Sequence, residues 1–375
     1  MLKKWIFIFC MLFTVNCYGG EKEPNVNALS AVLIDADTGR VLWGKNENKP
    51  MAVASTTKIM TAIITLENAD IKEKVTVSKN ATLAPPVKMN LQAGEELTLE
   101  QLLYALLMQS SNDAAVAIAE KVGGSVENFC AMMNKKAKEL GCKDTEFVTP
   151  NGLDKGNHHS TAYDMAVIGA YAIRNEEFIR ISNTRNISFS SNKKSYSIVN
   201  KNLLLDSYEG AIGIKTGFTG KAGQCFAGAA KRGDVTLVSV VLASGWGTAG
   251  KAKKWSDTKE ILNYGFDNYK KYSIIGDKVD ICVDKAKVSK TVLKYENSIE
   301  LLMKESEKNS ISFKNNVPEM IEAPVRKGEK IGIGEIYLGD LKVGQINLIA
   351  TESIEKHSFG NSFDKIIKEW IKLVC

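Results

Sequence analysis

At 375 residues, with 44% apolar and 25% charged side chains, the chain has the make-up of globular protein and is long enough for two domains. Its net charge of +6 is spread along the sequence. No basic block is interleaved with aromatics, so nucleic acid is excluded as an expected partner.

At the N-terminus Lys3 and Lys4 precede an apolar run, Trp5 to Val15, and Gly19 and Gly20 follow it. This pattern predicts a signal peptide over residues 1–20 and an exported protein. The run is short for a membrane span. An uncleaved signal anchor and, through Cys17, a lipoprotein are the alternatives. Beyond it stand Cys130, Cys142, Cys225, Cys282 and Cys375. Their odd number and irregular spacing give neither a disulfide framework nor a metal site, so buried free thiols are expected.

Ala31 to Asp35 and Val41 to Gly44 read as strands joined by the turn residues Asp37-Thr38-Gly39. Ser55 then opens a helix that is apolar nearly all round (Ile59, Met60, Ala62, Ile63, Ile64, Leu66), which predicts burial. From Glu67 the chain reads as polar and irregular. Thr98-Leu99-Glu100-Gln101 is a capping box for a helix ending near Met108 to Asp113. Helices are expected over Ala114 to Val122, Val126 to Leu140 and Ala162 to Arg174, with a turn at Thr149-Pro150-Asn151-Gly152. Strands follow at Ala211 to Thr216, Gln224 to Lys231 and Val235 to Ala243, then a helix near Asp257 to Gly265. One antiparallel sheet assembled from both ends of this segment, with a helical block inserted, is the economical architecture. From Lys270 short alternating runs predict a small all-β domain. Phe363, Ile366, Ile367, Trp370, Ile371 and Val374 recur at helical spacing opposite Lys365, Lys368 and Lys372. That suits an in-plane amphipathic helix on a membrane surface; docking on the β-domain is the alternative.

Three short patterns carry chemistry. In Ser55-Thr56-Thr57-Lys58 the serine and lysine share a helix face. A hydroxyl at a helix start beside a partly desolvated amine is an activated nucleophile. The same spacing recurs at Ser190/Lys193, Ser191/Lys194, Ser256/Lys259, Ser353/Lys356 and Ser362/Lys365, where solvated surface is the plainer reading. Ser110-Ser111-Asn112 lies in a turn between helices, and Lys215-Thr216-Gly217 at a strand end. Each is weak alone; their order and contexts together are specific.

In that order the three motifs resemble those of the penicillin-recognising serine enzymes, and more narrowly the D-alanyl-D-alanine carboxypeptidases, the low-molecular-mass penicillin-binding proteins. Ala31 to Trp43, Thr149 to Asp154, Thr161 to Ala166, Gly213 to Thr219 and Ala323 to Gly328 extend the resemblance over nearly the whole chain. Trp255-Ser256-Asp257-Thr258-Lys259 with Tyr264-Gly265 is more similar to the sporulation-type branch than to the vegetative one. The resemblance implies an α/β (α+β) transpeptidase-like domain over 28–267, a β-domain over 270–352 and an anchor helix over 362–375. It implies Ser55 as nucleophile, Lys58 as base and Ser110 as proton carrier to the leaving D-Ala. Asn112, Lys215, Thr216, Gly217 and Phe218 would bind substrate, with the N–H groups of Ser55 and Phe218 as oxyanion hole. Stem peptides of peptidoglycan ending in D-Ala-D-Ala and β-lactam antibiotics would be the partners, at the outer face of the cytoplasmic membrane. Neither a metal nor an organic cofactor is implied. A serine β-lactamase would share the motifs but would need a deacylation base, and no Glu-x-x-x-Asn element stands between Thr149 and Asp164. A non-catalytic wall-binding protein of the same fold is the other alternative.

Overall fold

The computed structural model describes residues 22–357 together with Ile367, Trp370 and Ile371. The expected signal peptide lies outside the described residues, as does the amphipathic helix apart from those three positions, which are helical and exposed.

Strand β1 (Ser30–Asp35) is buried along its length, and its side chains alternate between two cores. Val32 and Ile34 pack with the helical block, while Ala31 and Leu33 pack on the opposite face. β9 (Val235–Leu242) divides in the same way, with Val238 and Val240 on the first face and Leu237 and Val241 on the second. A strand covered on both faces needs apolar residues at successive positions, which is why these runs are nearly continuous. The chain reaches this sheet twice. β1 and β2 (Val41–Lys45) come first; β7 (Ala211–Thr219), β8 (Gly223–Arg232) and β9 come last, giving the antiparallel order β2-β1-β9-β8-β7. β7 is therefore an edge strand.

Between the two visits lies the helical block. It comprises α1 (Lys58–Asn68), β3 (Lys74–Thr76), α2 (Lys79–Thr82), β4 (Glu96–Thr98), α3 (Leu99–Tyr104), α4 (Asn112–Gly123), α5 (Val126–Glu139), α6 (Ala162–Ala172), α7 (Glu176–Ser182), β5 (Asn186–Ser190), β6 (Ser195–Val199) and α8 (Leu204–Ser207). α3 opens on the expected capping box: the Thr98 hydroxyl accepts from the Gln101 N–H while the Gln101 side chain accepts from the Thr98 N–H. α3 runs on into a π-helical turn, Ala105–Gln109, that delivers Ser110. The stretch after Glu67 is not irregular throughout: β3 and β4 pair there, each too short to leave a periodic signal. The β5–β6 hairpin was also not anticipated.

On the far face α9 (Gly247–Asn268) packs against β8 and β9, and Gly265 gives it close contact with Leu33 and Leu237. α9 starts at Gly247 rather than near Asp257. Gly250, whose missing side chain admits the Gly245 carbonyl, hid this first turn from a propensity reading.

The remaining strands, β10 (Lys270–Ile274), β11 (Val279–Asp284), β12 (Lys290–Tyr295), β13 (Ile299–Met303), β14 (Ile311–Asn316), β15 (Met320–Glu322), β16 (Lys330–Leu338) and β17 (Leu341–Ala350), form a two-stranded and a six-stranded sheet around their own core. One parallel pair, β11 with β15, interrupts an otherwise antiparallel arrangement. Arg40, just before β2, ties the two parts together: it donates to the Leu302 carbonyl at 2.7 Å and pairs with Glu307. Cys130, Cys142 and Cys225 are buried free thiols, and Cys282 is free and exposed.

Candidate active site

Ser55 sits in a 3-10 turn, Ala54–Thr57, immediately before α1. The turn is held from several sides. Ala54 carries a positive φ of 49°, a conformation that costs a non-glycine residue on the order of 1–3 kcal/mol. Its carbonyl accepts from the Thr57 hydroxyl at 2.8 Å. His158 lies 2.9 Å from that hydroxyl through Nε2, while its Nδ1 accepts from the Val148 N–H at 3.0 Å. Nδ1 being an acceptor, the proton is on Nε2, and the ring is neutral; burial lowers its pKa to about 4. Gly152 closes the other side at φ 80°: a Cβ there would stand 1.9 Å from the Ala54 oxygen.

Lys58, one turn on, is completely buried. Its Nζ lies 2.9 Å from Ser55 Oγ, 2.7 Å from Asn112 Oδ1 and 2.6 Å from the Asn151 carbonyl. The Asn112 amide is oriented by its own bonds, since Nδ2 donates to the Pro85 and Pro86 carbonyls at 3.0 and 3.1 Å. Burial pushes the Lys58 ammonium well below its ordinary pKa, and the positive charges of Lys215 and Lys201 add to the effect against a smaller opposing field from Asp113. A neutral amine has two N–H groups and one lone pair. Two of its three neighbours are carbonyl oxygens that can only accept, and the third is a hydroxyl that can donate.

The third motif approaches along β7. A Cβ on Gly217 would come within 3.1 Å of the Ser55 and Thr56 nitrogens, a tight contact, so glycine favours this close approach of the strand to the Ser55 turn. Phe218 follows with its side chain half exposed, and Thr216 is partly buried. Lys215 differs from a strand-end lysine at the rim: it is buried, with Nζ donating to the Thr216 carbonyl at 2.9 Å. Burial, with Lys201 and Lys254 nearby, lowers its pKa to about 7. Ser110 holds a left-handed conformation, φ 68°, at the end of the π-helical turn. Among the described residues no hydrogen bond joins its hydroxyl to Ser55 or Lys58. The adjacent Gln109 carbonyl accepts from Lys201 Nζ at 2.9 Å.

The structure thus brings Ser55, Lys58 and Asn112 into one hydrogen-bonded group and sets the Lys215–Phe218 strand against it. Sequence reasoning missed His158, Asn151, Lys201 and Lys254. Asn151 acts through its backbone, which leaves no side-chain signature. Lys201 and Lys254 looked like any of the chain's many lysines. His158 could have been found as one of only three histidines in the chain, close after the Thr149 turn. Among the described residues no group of three His, Cys, Asp or Glu side chains is placed to hold a metal ion.

A buried lysine on a serine hydroxyl, opposite a glycine-bearing edge strand, defines a serine acyl-enzyme hydrolase of the α/β transpeptidase type. Residues 19–245 match the D-alanyl-D-alanine carboxypeptidase family model, and residues 268–356 match the C-terminal domain of penicillin-binding protein 5. The chain is 33% identical to D-alanyl-D-alanine carboxypeptidase DacF of Bacillus subtilis over 92% of its own length and 90% of that protein's. It is 36% identical to DacB2 of Mycobacterium tuberculosis over 66% of this chain and 85% of the other. Penicillin-binding protein 5 of Haemophilus influenzae superposes with a TM-score of 0.73 at 28% identity, covering 90% of this chain and all of that one. The chain belongs to the D-alanyl-D-alanine carboxypeptidase family. It is a serine-type, penicillin-binding hydrolase acting on D-Ala-D-Ala ends in cell-wall metabolism.

Gly152→Ala should force the Ser55 turn to move, because its Cβ would meet backbone rather than a flexible side chain. Carboxypeptidase turnover is expected to fall about 100-fold, in line with a displacement near 1 Å at a reacting group. Wild-type turnover in this variant would show that the turn is not rigidly placed.

Proposed function

We propose that Ser55 is the acylated residue and Lys58 its base. One observation carries the reading: Lys58 Nζ lies 2.9 Å from Ser55 Oγ in surroundings that disfavour its proton. As Oγ attacks the carbonyl of the penultimate D-Ala, Lys58 takes its proton. The N–H groups of Ser55 and Phe218 receive the oxyanion; the approach of β7 at Gly217, where an added Cβ would stand 3.1 Å from the Ser55 nitrogen, supports that pairing. Ser110 relays that proton from Lys58 to the amine of the departing D-Ala as the amide bond breaks. Asn112 holds the substrate amide, and Lys215 with Thr216 holds the terminal carboxylate. Water then attacks the ester, the shortened peptide leaves, and Ser55 regains its proton.

The division of labour follows. We assign hydrolysis to residues 28–267 and a spacer role to the β-domain, residues 270–352. We infer that the chain is exported and held at the outer face of the cytoplasmic membrane by residues 362–375. The Trp-bearing amphipathic spacing and three lysines of that stretch support this. No helix among the described residues is long and apolar enough to cross a membrane.

Ser55→Ala should abolish both D-Ala release and the covalent penicillin adduct seen by mass spectrometry. An adduct that persists, or maps to Ser110, overturns the assignment, and rapid penicillin turnover by the wild type would favour the β-lactamase reading.

The pH profile tests the two lysines separately. Acylation should rise with pH as Lys58 loses its proton, then fall above about 7 as Lys215 loses the charge that holds a carboxylate. Lys215→Arg keeps that charge, so its alkaline limb should move upward. An unmoved limb would remove Lys215 from carboxylate binding.

Deleting residues 363–375 should release the mature protein from anionic vesicles with activity retained. High salt should weaken binding of the full-length form. A full-length mature protein that ignores vesicles would make the segment a docking element.

A further inference from the structure

The β5–β6 hairpin is stapled to the segment that orients Asn112, and the staple is a buried carboxylate with no place in the mechanism. Glu95 is fully buried. Its Oε1 accepts from the Ser191 and Tyr196 hydroxyls, each at 2.6 Å, and its Oε2 accepts from the Gln92 N–H at 2.8 Å. Burial opposes the charge, but these donors outweigh it and hold the carboxyl below its ordinary range. The hairpin tip adds lysine contacts to the same segment: Lys193 Nζ donates to the Ala93 carbonyl and Lys194 Nζ to the Asn90 carbonyl, both at 2.5 Å.

The clamped segment is the one that places Asn112. The carbonyls of Pro85 and Pro86 take the Asn112 Nδ2 protons, and that of Val87 takes its backbone N–H at 2.7 Å. Two more bonds fix the segment to the next residue, because the Met89 and Leu91 N–H groups donate to Asp113 at 3.1 and 3.0 Å. Asn112 Oδ1 in turn faces Lys58 Nζ. Residues 82–88 expose Leu83 and Val87, whereas Met89 and Leu91 just beyond them are buried in the main core. Polar bonds fasten the segment on either side of these two residues, to Asn112 at Pro85 and Pro86 and to the hairpin at Glu95.

We propose that Glu95 is a positioning residue for acylation: by joining Ser191 and Tyr196 of the hairpin to the 85–95 segment it fixes the Asn112 amide against Lys58. Glu95 touches neither substrate nor the reacting atoms, and its effect passes through Asn112. The inference rests on Asn112 belonging to the reactive group, which Asn112→Ala tests by itself.

The experiment is a double-mutant cycle on the second-order rate of penicillin acylation. Glu95→Gln keeps the shape but presents an N–H toward one of its donors. It should slow acylation about 10-fold in the wild-type background and less than about 2-fold in the Asn112→Ala background. Tyr196→Phe, which removes one donor and leaves the carboxylate, should show the same dependence on background and substitutes for Glu95→Gln if that variant does not fold. The acid limb of the acylation profile should also move to lower pH, because an amine that loses its Asn112 acceptor holds its proton less tightly. Equal losses in both backgrounds, or a loss with the limb unmoved, would make the clamp merely structural and overturn the proposal. An Asn112→Ala variant that acylates at the wild-type rate would instead overturn the reading of Asn112.

Discussion

The arrangement depends on keeping one amine dry. Lys58 is completely buried beneath the Ser55 turn, and a buried ammonium is stable only if its surroundings repay the lost hydration. Here they do not: Lys201 and Lys215 add positive charge, and Asp113 is the smaller influence. Near neutral pH the folded cluster binds fewer protons than the unfolded chain. Stability therefore rises with pH from Lys215's value of about 7 toward the ordinary value of a lysine, and the cluster is most costly below that window. The rest of the domain must supply the balance.

That balance comes from two cores on either side of one sheet. Val32, Ile34, Val238 and Val240 cement the helical block to it, and Leu33, Leu237 and Val241 cement α9. The strained pieces of the site are fastened to this frame at their edges. Ala54 is held by the Thr57 hydroxyl and the His158 ring beneath it. Gly152 and Gly217 matter because they have no side chain, and a methyl group at either would meet the backbone of the Ser55 turn. The fold can therefore carry a positive φ directly before its serine without letting the turn relax.

Much of this was readable in advance. The two-faced burial of β1 and β9 shows as nearly continuous apolar runs, the Thr98 box marks α3, and the three motifs fall on the elements the sequence suggested. Other parts were hidden for physical reasons. Asn151 contributes a carbonyl, which every residue has. The buried states of Lys201, Lys215 and Lys254 come from what packs around them, since a lysine's sequence neighbours do not report its solvent exposure. The β5–β6 hairpin did leave a trace, the alternation Ile187, Phe189, Tyr196, Ile198 about a Ser-Asn-Lys-Lys tip. Its serines and lysines read as ordinary surface because the carbonyls and the carboxylate they bind lie about a hundred positions away.

Two buried lysines in one cluster have opposite tasks in the proposed mechanism, and the substrate's charge lets both be met. A carboxylate brought near Lys58 alone would favour its protonated form and silence the base. Lys215 prevents this. With a pKa near 7 it is poised to take up a proton when an anion arrives, and the ammonium–carboxylate pair that results is neutral. Lys58 then feels little net field from the bound chain end and keeps its lone pair for Ser55. The difference between the two sites is in their partners. Lys58 faces two carbonyl oxygens and a hydroxyl, enough for a neutral amine. Among the described residues Lys215 Nζ donates to the Thr216 carbonyl alone, and so retains donors for an incoming anion. In the proposed mechanism similar burial thus serves a base in one case and an anion receptor in the other, because the neighbouring acceptors differ.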